Sequence, residues 1–186
     1  LSELARATLE DVMSVWLQVL PAVSGFVGAL IGAGAALFGQ HLQRRHEITH
    51  RRKSIAFAIA AEIEAYIDII DHRGWVPIAE MLFKQASSGT IPKVEGWLSD
   101  QEQARDPFPI FSANMGNIGT LGQITGPLAK FYTRVIGIRT TVADMQVGAY
   151  DDLGPEGIAR VIRGEIDLWL ETAVLGRKLV KDLRSL

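Results

Sequence analysis

The sequence predicts an all-α protein: one N-terminal transmembrane helix followed by a small cytoplasmic helical bundle. Three observations carry the prediction. From Val12 to Gln43 no side chain bears a full charge when His41 is neutral, and within that run Val19–Phe38 has Ser24 as its only polar side chain. Downstream, apolar residues recur at helical spacing in three long segments. No segment alternates in the two-residue rhythm of a half-buried strand. The mean hydropathy of +0.16 is high for a chain with 22% charged residues, and the excess lies near the N-terminus.

Three sections follow. Residues 1–14 form an extracytoplasmic lead-in, 15–42 the transmembrane helix and 43–186 the cytoplasmic bundle. Over Ser2–Leu20, a lead-in helix that overlaps the start of the span, Leu9, Val12, Met13, Trp16 and Leu20 recur at helical spacing, and Trp16 suits the headgroup boundary. Pro21 lacks an amide hydrogen and fits the first turn of the spanning helix or a kink. A bilayer core about 30 Å thick needs roughly 20 apolar residues as a helix. Val15–Gly39 reaches about 37 Å at 1.5 Å per residue, enough to span with some tilt. A cleaved signal peptide would carry a positive leader, whereas Glu3, Glu10 and Asp11 here outnumber Arg6.

Inside the span, Ser24, Gly28, Gly32 and Ala36 stand four apart, with Gly25, Ala29 and Ala33 as a second row. Lipid tails are as apolar as leucine, so association within a bilayer depends on close backbone approach over small side chains. These residues are the predicted helix–helix interface. Beyond the span come Arg44, Arg45, Arg51, Arg52 and Lys53, against Arg6 alone in front. Basic flanks stay on the cytoplasmic side, which puts the N-terminus outside and the bundle in the cytoplasm. The same five residues are candidates for anionic lipid headgroups, at about 1 kcal/mol each near the surface.

The bundle begins with a helix over Arg51–His72. Ile55, Ile59, Ile63, Tyr66, Ile67 and Ile70 make its apolar stripe, and Glu62, Glu64, Asp68 and Asp71 are placed off it. Gly74 and Pro77 reset the chain, and Ile78, Met81, Leu82 and Gln85 predict a short helix ending near Ser87-Ser88-Gly89. Pro92, Pro107, Pro109, Gly116, Gly119, Gly122 and Gly126 exclude a long helix over Ile91–Gly126. The apolar Phe108, Ile110, Phe111, Met115, Ile118 and Leu121 nevertheless predict that Phe108–Gly122 is ordered and packed on the bundle. Thr125 is expected to cap a helix whose buried face is Leu128, Phe131, Tyr132, Val135, Ile138, Val142 and Met145. After Asp151–Pro155 a last helix carries Ile158, Ile162, Ile166, Trp169, Ala173, Val180 and Leu183, with basic residues toward its end.

Composition excludes several chemistries. With no cysteine there is no disulfide framework, thiolate zinc site or cysteine nucleophile, and a net charge of -2 argues against a strongly basic nucleic-acid binder. Glu64, Asp68 and His72 share a helix face, but a carboxylate-bridged metal pair needs Glu-x-x-His ligands from other helices. They read as a solvated acidic face. The glycines of Gly116–Gly126 lack the Gly-Lys-Ser/Thr ending of a phosphate loop and are assigned to turns and close packing. Arg45 and His50 match the Arg-x-x-x-x-His spacing of a family of small helical ribonuclease domains, and are the weak catalytic candidates. The sequence predicts no enzyme, no cofactor and no metal.

The run from Pro109 through Asn114 and Gly119 to Gly122, followed by Phe131-Tyr132, resembles a group of uncharacterised bacterial membrane-anchored helical proteins. Their pattern is one N-terminal membrane helix, a basic juxtamembrane helix and a Phe-x-Ala-Asn, Ile-Gly-x-Leu, Phe-Tyr progression. The resemblance implies the bacterial inner membrane, and no activity. In plan the chain is more distantly similar to the membrane pore partners of RNA-targeting CRISPR nucleases. The reading that follows is a single-pass scaffold or accessory subunit. Its partners would be membrane lipids and either further copies of itself or other membrane-protein subunits, with DNA excluded and RNA disfavoured. The alternative is a pore-forming or membrane-permeabilising effector, with Gln18, Ser24, Gln40 and His41 as sparse polar groups.

Overall fold

The structure, a computed structural model, describes residues 46–94 and 96–186, together with Gly32, Ala36, Gly39, Gln40, His41, Gln43 and Arg44. Most of the predicted transmembrane helix lies outside the described residues, as do Ser24, Gly25, Gly28, Ala29, Ala33 and Arg45. Among the described residues no helix is long and apolar enough to cross a membrane. The chain divides into two units at His50/Arg51. In the first, the described residues are helical and exposed.

The second unit is helical, with no strand among its described residues. Its elements are α1 (51–72), α2 (Trp75–Ser87), α3 (Asp100–Ala104), α4 (Pro109–Asn114), a 3-10 segment (Met115–Ile124), α5 (Thr125–Gln146) and α6 (Gly154–Arg184). The apolar stripes explain how they pack. On α1, Ile55, Ile59, Ile63 and Ile67 are buried. On α5 the same holds for Leu128, Phe131, Tyr132, Val135, Ile138 and Val142, and every apolar residue named for α6 is buried. Ion pairs record the α1–α6 register: Arg177 bonds Asp71 at 2.6 Å and Arg184 bonds Glu64 at 3.1 Å. The pairs lie two turns apart on both helices and run in opposite order, so α1 and α6 are antiparallel. The pairs are exposed and fix register more than stability.

Two apolar clusters share the long α6. The larger joins its C-terminal half to α1, α5, Phe108 and the 3-10 segment. The smaller joins Ile158, Ala159, Ile162 and Ile166 to Ala79, Leu82 and Ala86 of α2, with Val94. At Gly176 the side chains of α1 and α5 fill the space a larger residue would need. A Cβ there would stand 2.6 Å from Cε2 of Phe131 and 2.7 Å from Cδ1 of Ile67.

The structure corrects the sequence reading in several places; Met145, expected on the buried face of α5, is only half-buried. On α2, Met81 is 51% exposed and Ile78 lies at the surface, because alanines at 79 and 86 flank Leu82 on the buried face. Phe108–Gly122 is packed as expected through Phe108, Ile118 and Leu121, but as short helices, and Met115 is 61% exposed. Thr125 does not cap α5. The 3-10 segment runs directly into that helix, and the Thr125 hydroxyl instead donates to the Ile118 carbonyl at 3.0 Å. Close packing does not explain the glycines of this segment: a Cβ at Gly116, Gly119, Gly122 or Gly126 would meet nothing within 4 Å. Only Gly122 needs its residue type on conformational grounds, with φ 67° at the kink.

Candidate functional site

Glu62 ties three helices of the bundle together. It sits on α1, where Ile55, Ile59, Glu62 and Tyr66 follow one helical face. Its two oxygens accept the Ile110 amide at 2.7 Å and the Phe111 amide at 3.1 Å, and the Tyr132 hydroxyl donates to it at 3.0 Å. The amides belong to the first turn of α4, which has no internal acceptor for them. A carboxylate at a helix N-terminus satisfies those donors and opposes the positive end of the helix dipole. Around it, Phe111 stacks on Tyr132 with ring centroids 3.7 Å apart, and Phe108 packs edge-on to Tyr132 at 4.6 Å. Burial pushes the Tyr132 hydroxyl well above its ordinary pKa, and the negative charge of Glu62 adds to the shift. The Phe-x-Ala-Asn and Phe-Tyr segments are thus held together by one α1 carboxylate. The sequence reading places Glu62 off the stripe; its spacing of three and four from Ile59 and Tyr66 puts it on the face toward the bundle.

A cleft opens on the other side of Tyr66. It encloses about 650 Å³, within the range of small-molecule sites. Its apolar floor includes Val135, Ile138 and Trp169, with Trp75 and Trp97 on one wall. The aromatic rings meet edge to face: Trp75 lies 6.0 Å from Trp97 and 6.1 Å from Trp169, and Trp169 lies 6.2 Å from Tyr66. The Trp97 wall is a turn without regular structure, and Gln146 fixes it. The amide of that side chain accepts from the Leu98 N–H at 3.2 Å and donates to the Leu98 carbonyl at 3.1 Å, imitating a strand partner.

The rim is charged. Glu102 closes a capping box with Ser99 at the start of α3 and accepts a bond from Arg73 at 2.8 Å. The Arg73 bond and the Ser99 amide hold the Glu102 carboxyl down at about 2. Arg139 donates to the Glu102 carbonyl at 2.7 Å. Asp106 accepts the Phe108 amide at 2.8 Å, and hydrogen bonds from Ser112 and that amide lower its pKa. Burial raises the Tyr66 hydroxyl while Arg139 and Arg73 pull it back.

Of the residues singled out in the sequence, Gly32 and Ala36 are helical and exposed. Arg44, Arg51 and Lys53 are exposed, whereas Arg52 is half-buried with a buried, unpartnered Nε. His50 faces His46, with Nε2 atoms 3.2 Å apart and rings edge to face at 4.6 Å. Glu64 pairs with Arg184, and no cluster of three His, Asp or Glu side chains among the described residues could hold a metal. The structure therefore brings together Tyr66, Arg73, Trp75, Trp97 and Arg139, none of which the sequence marks as a site. They come from four separate segments, and no local spacing announces them. Compared with family models, with curated proteins and with solved structures, the chain matches none of them.

Proposed function

We propose that the chain is a non-enzymatic, single-pass membrane protein, and that its helical bundle is a cytoplasmic scaffold or accessory subunit. The observation that carries the reading is the uncharged run from Val12 to Gln43, followed at once by Arg44, Arg45, Arg51, Arg52 and Lys53. Exposure of Arg44, Arg51 and Lys53 supports it, since headgroup phosphates need accessible cations. The ridge of Ser24, Gly28, Gly32 and Ala36 supports self-association through close helix packing.

The chain has no cysteine, so single cysteines report topology without background. In intact bacteria, an impermeant maleimide should label a cysteine at Ser2 and spare one at Ser185. Labelling of both or of neither, or recovery of the chain in the soluble fraction, overturns the membrane reading. Gly28→Leu with Gly32→Leu should lower the oligomer mass in detergent. An unchanged mass overturns self-association through this face.

A further inference from the structure

The cleft beside Tyr66 has the chemistry of a small-molecule site, and its charge selects the ligand. Its walls are tryptophan, tyrosine and aliphatic side chains, which favour an apolar body. Its ionisable groups are Arg73, Arg105 and Arg139 against Glu102 and Asp106. Both carboxylates are already engaged: Glu102 by Arg73 and Ser99, Asp106 by the Phe108 amide. The guanidinium groups are not exhausted. Arg105 is exposed and has no partner among the described residues, and Arg139, which spends Nη2 on a carbonyl and also bonds the Tyr66 hydroxyl, keeps the rest of its five N–H donors.

We propose that this cleft binds an apolar small molecule bearing a single carboxylate, with the body against Trp75, Trp97 and Trp169 and the carboxylate on Arg139 and Arg105. A guanidinium fork matches a carboxylate in plane and can meet it with two hydrogen bonds, which a neutral hydroxyl cannot reproduce. A cation would meet the net positive rim and lose affinity. The carboxylate can sit on an aromatic or an acyl body, so both are tested. The inference is independent of the membrane reading, because every residue it uses lies in the second unit.

The test is calorimetric titration of the full chain, in phosphatidylcholine nanodiscs with empty discs as the blank when it is recovered in the membrane fraction and in buffer when it is recovered in the soluble one. The probes are 2-naphthylacetate, octanoate, 2-naphthaleneethanol and 2-(2-naphthyl)ethylammonium. At least one carboxylate should bind about ten-fold more tightly than the alcohol, and the ammonium should give no saturable heat. Naphthylacetate as the tighter ligand identifies an aromatic body, and octanoate an acyl one. Arg105→Ala should weaken the carboxylate about five-fold and leave the alcohol unchanged. Ile78→Trp, at a half-open lining position, should abolish binding while helical circular dichroism is retained. Equal affinity for carboxylate and alcohol, binding that survives Ile78→Trp, or no binding of either carboxylate overturns the proposal.

Discussion

Glu62 and Glu165 place two carboxylates at the edges of two neighbouring cores, and the bundle treats them oppositely. Glu62 borders the larger cluster and accepts three hydrogen bonds from α4 and α5. Glu165 borders the smaller one, facing Trp75, Leu82, Val94, Trp97 and Met145, and its Oε2 is buried without a partner. Burial raises the pKa of Glu165, and only the Thr141 hydroxyl pulls it down. The difference follows from what each core is made of. Around Glu62, aromatic side chains close the space and short helices present amides to the charge. Around Glu165 the neighbours are mostly apolar, from Leu82 and the alanines of α2 to Val94 and Met145, and the Thr141 hydroxyl is the one donor that pulls on the carboxyl.

The largest expected effects test whether the two cores differ in tightness. Leu128 is fully buried in the larger core, and Leu128→Ala should destabilise the bundle by about 4 kcal/mol. Leu82 in the smaller core is 5% exposed and already lines a small cavity with Ala79 and Val94, and Leu82→Ala should cost about 2 kcal/mol. Urea unfolding followed by circular dichroism reads both. Equal losses would remove the contrast in packing.

Next is the carboxylate of the closed region. Glu62→Leu strips acceptors from two amides and a phenol, and should destabilise by about 3 kcal/mol. Glu62→Gln keeps one acceptor oxygen and should lose roughly half as much. Hydrogen exchange should localise the damage to the Ile110 and Phe111 amides. Exchange that stays slow there in Glu62→Leu would mean that Glu62 is not what holds α4.

A smaller effect sharpens the same contrast. Gly176→Ala drives a methyl into Phe131 and Ile67, a strain of about 1–3 kcal/mol, and recovers about 0.5–1 kcal/mol of helix propensity. The net loss should be about 1 kcal/mol by thermal unfolding. At Gly164, where an added Cβ meets nothing within 4 Å, the same change should stabilise by about 0.5 kcal/mol.

How much of this was legible depended on how local each signal was. The α1, α5 and α6 stripes repeat within single helices, so 3.6-residue periodicity revealed their buried faces. On α2 the rule misled, because Ile78 and Met81 outweigh alanine in any apolar count while alanine is what fits against α6. Glu62 was hidden for another reason. Its spacing from Ile59 and Tyr66 puts it on the inner face of α1, but its donors stand 48, 49 and 70 residues along the chain, so no local pattern names its partners. The cleft was less legible still. Its arginines acquire meaning only when α3 folds back and Glu102 meets both Arg73 and the donor of Arg139.

The last effect concerns the carboxylate left unsatisfied. A carboxyl whose folded pKa is raised destabilises the fold once pH exceeds its unfolded value, because the folded state must hold a proton or bear a desolvated charge. Below about pH 4 the carboxyl is protonated in both states and the penalty vanishes. Glu165→Gln removes that titration while keeping an acceptor for Thr141, so it should stabilise by about 1 kcal/mol at pH 7.5 and by nothing measurable at pH 3.5. Chemical unfolding of both proteins across that range reads the difference directly. The gain should grow as pH rises from about 4, the opposite direction from Glu102, whose lowered pKa means that its bonds to Arg73 and Ser99 weaken as pH falls toward 2. A Glu165→Gln gain that did not change with pH would show that packing, rather than an uncompensated charge, separates the two cores.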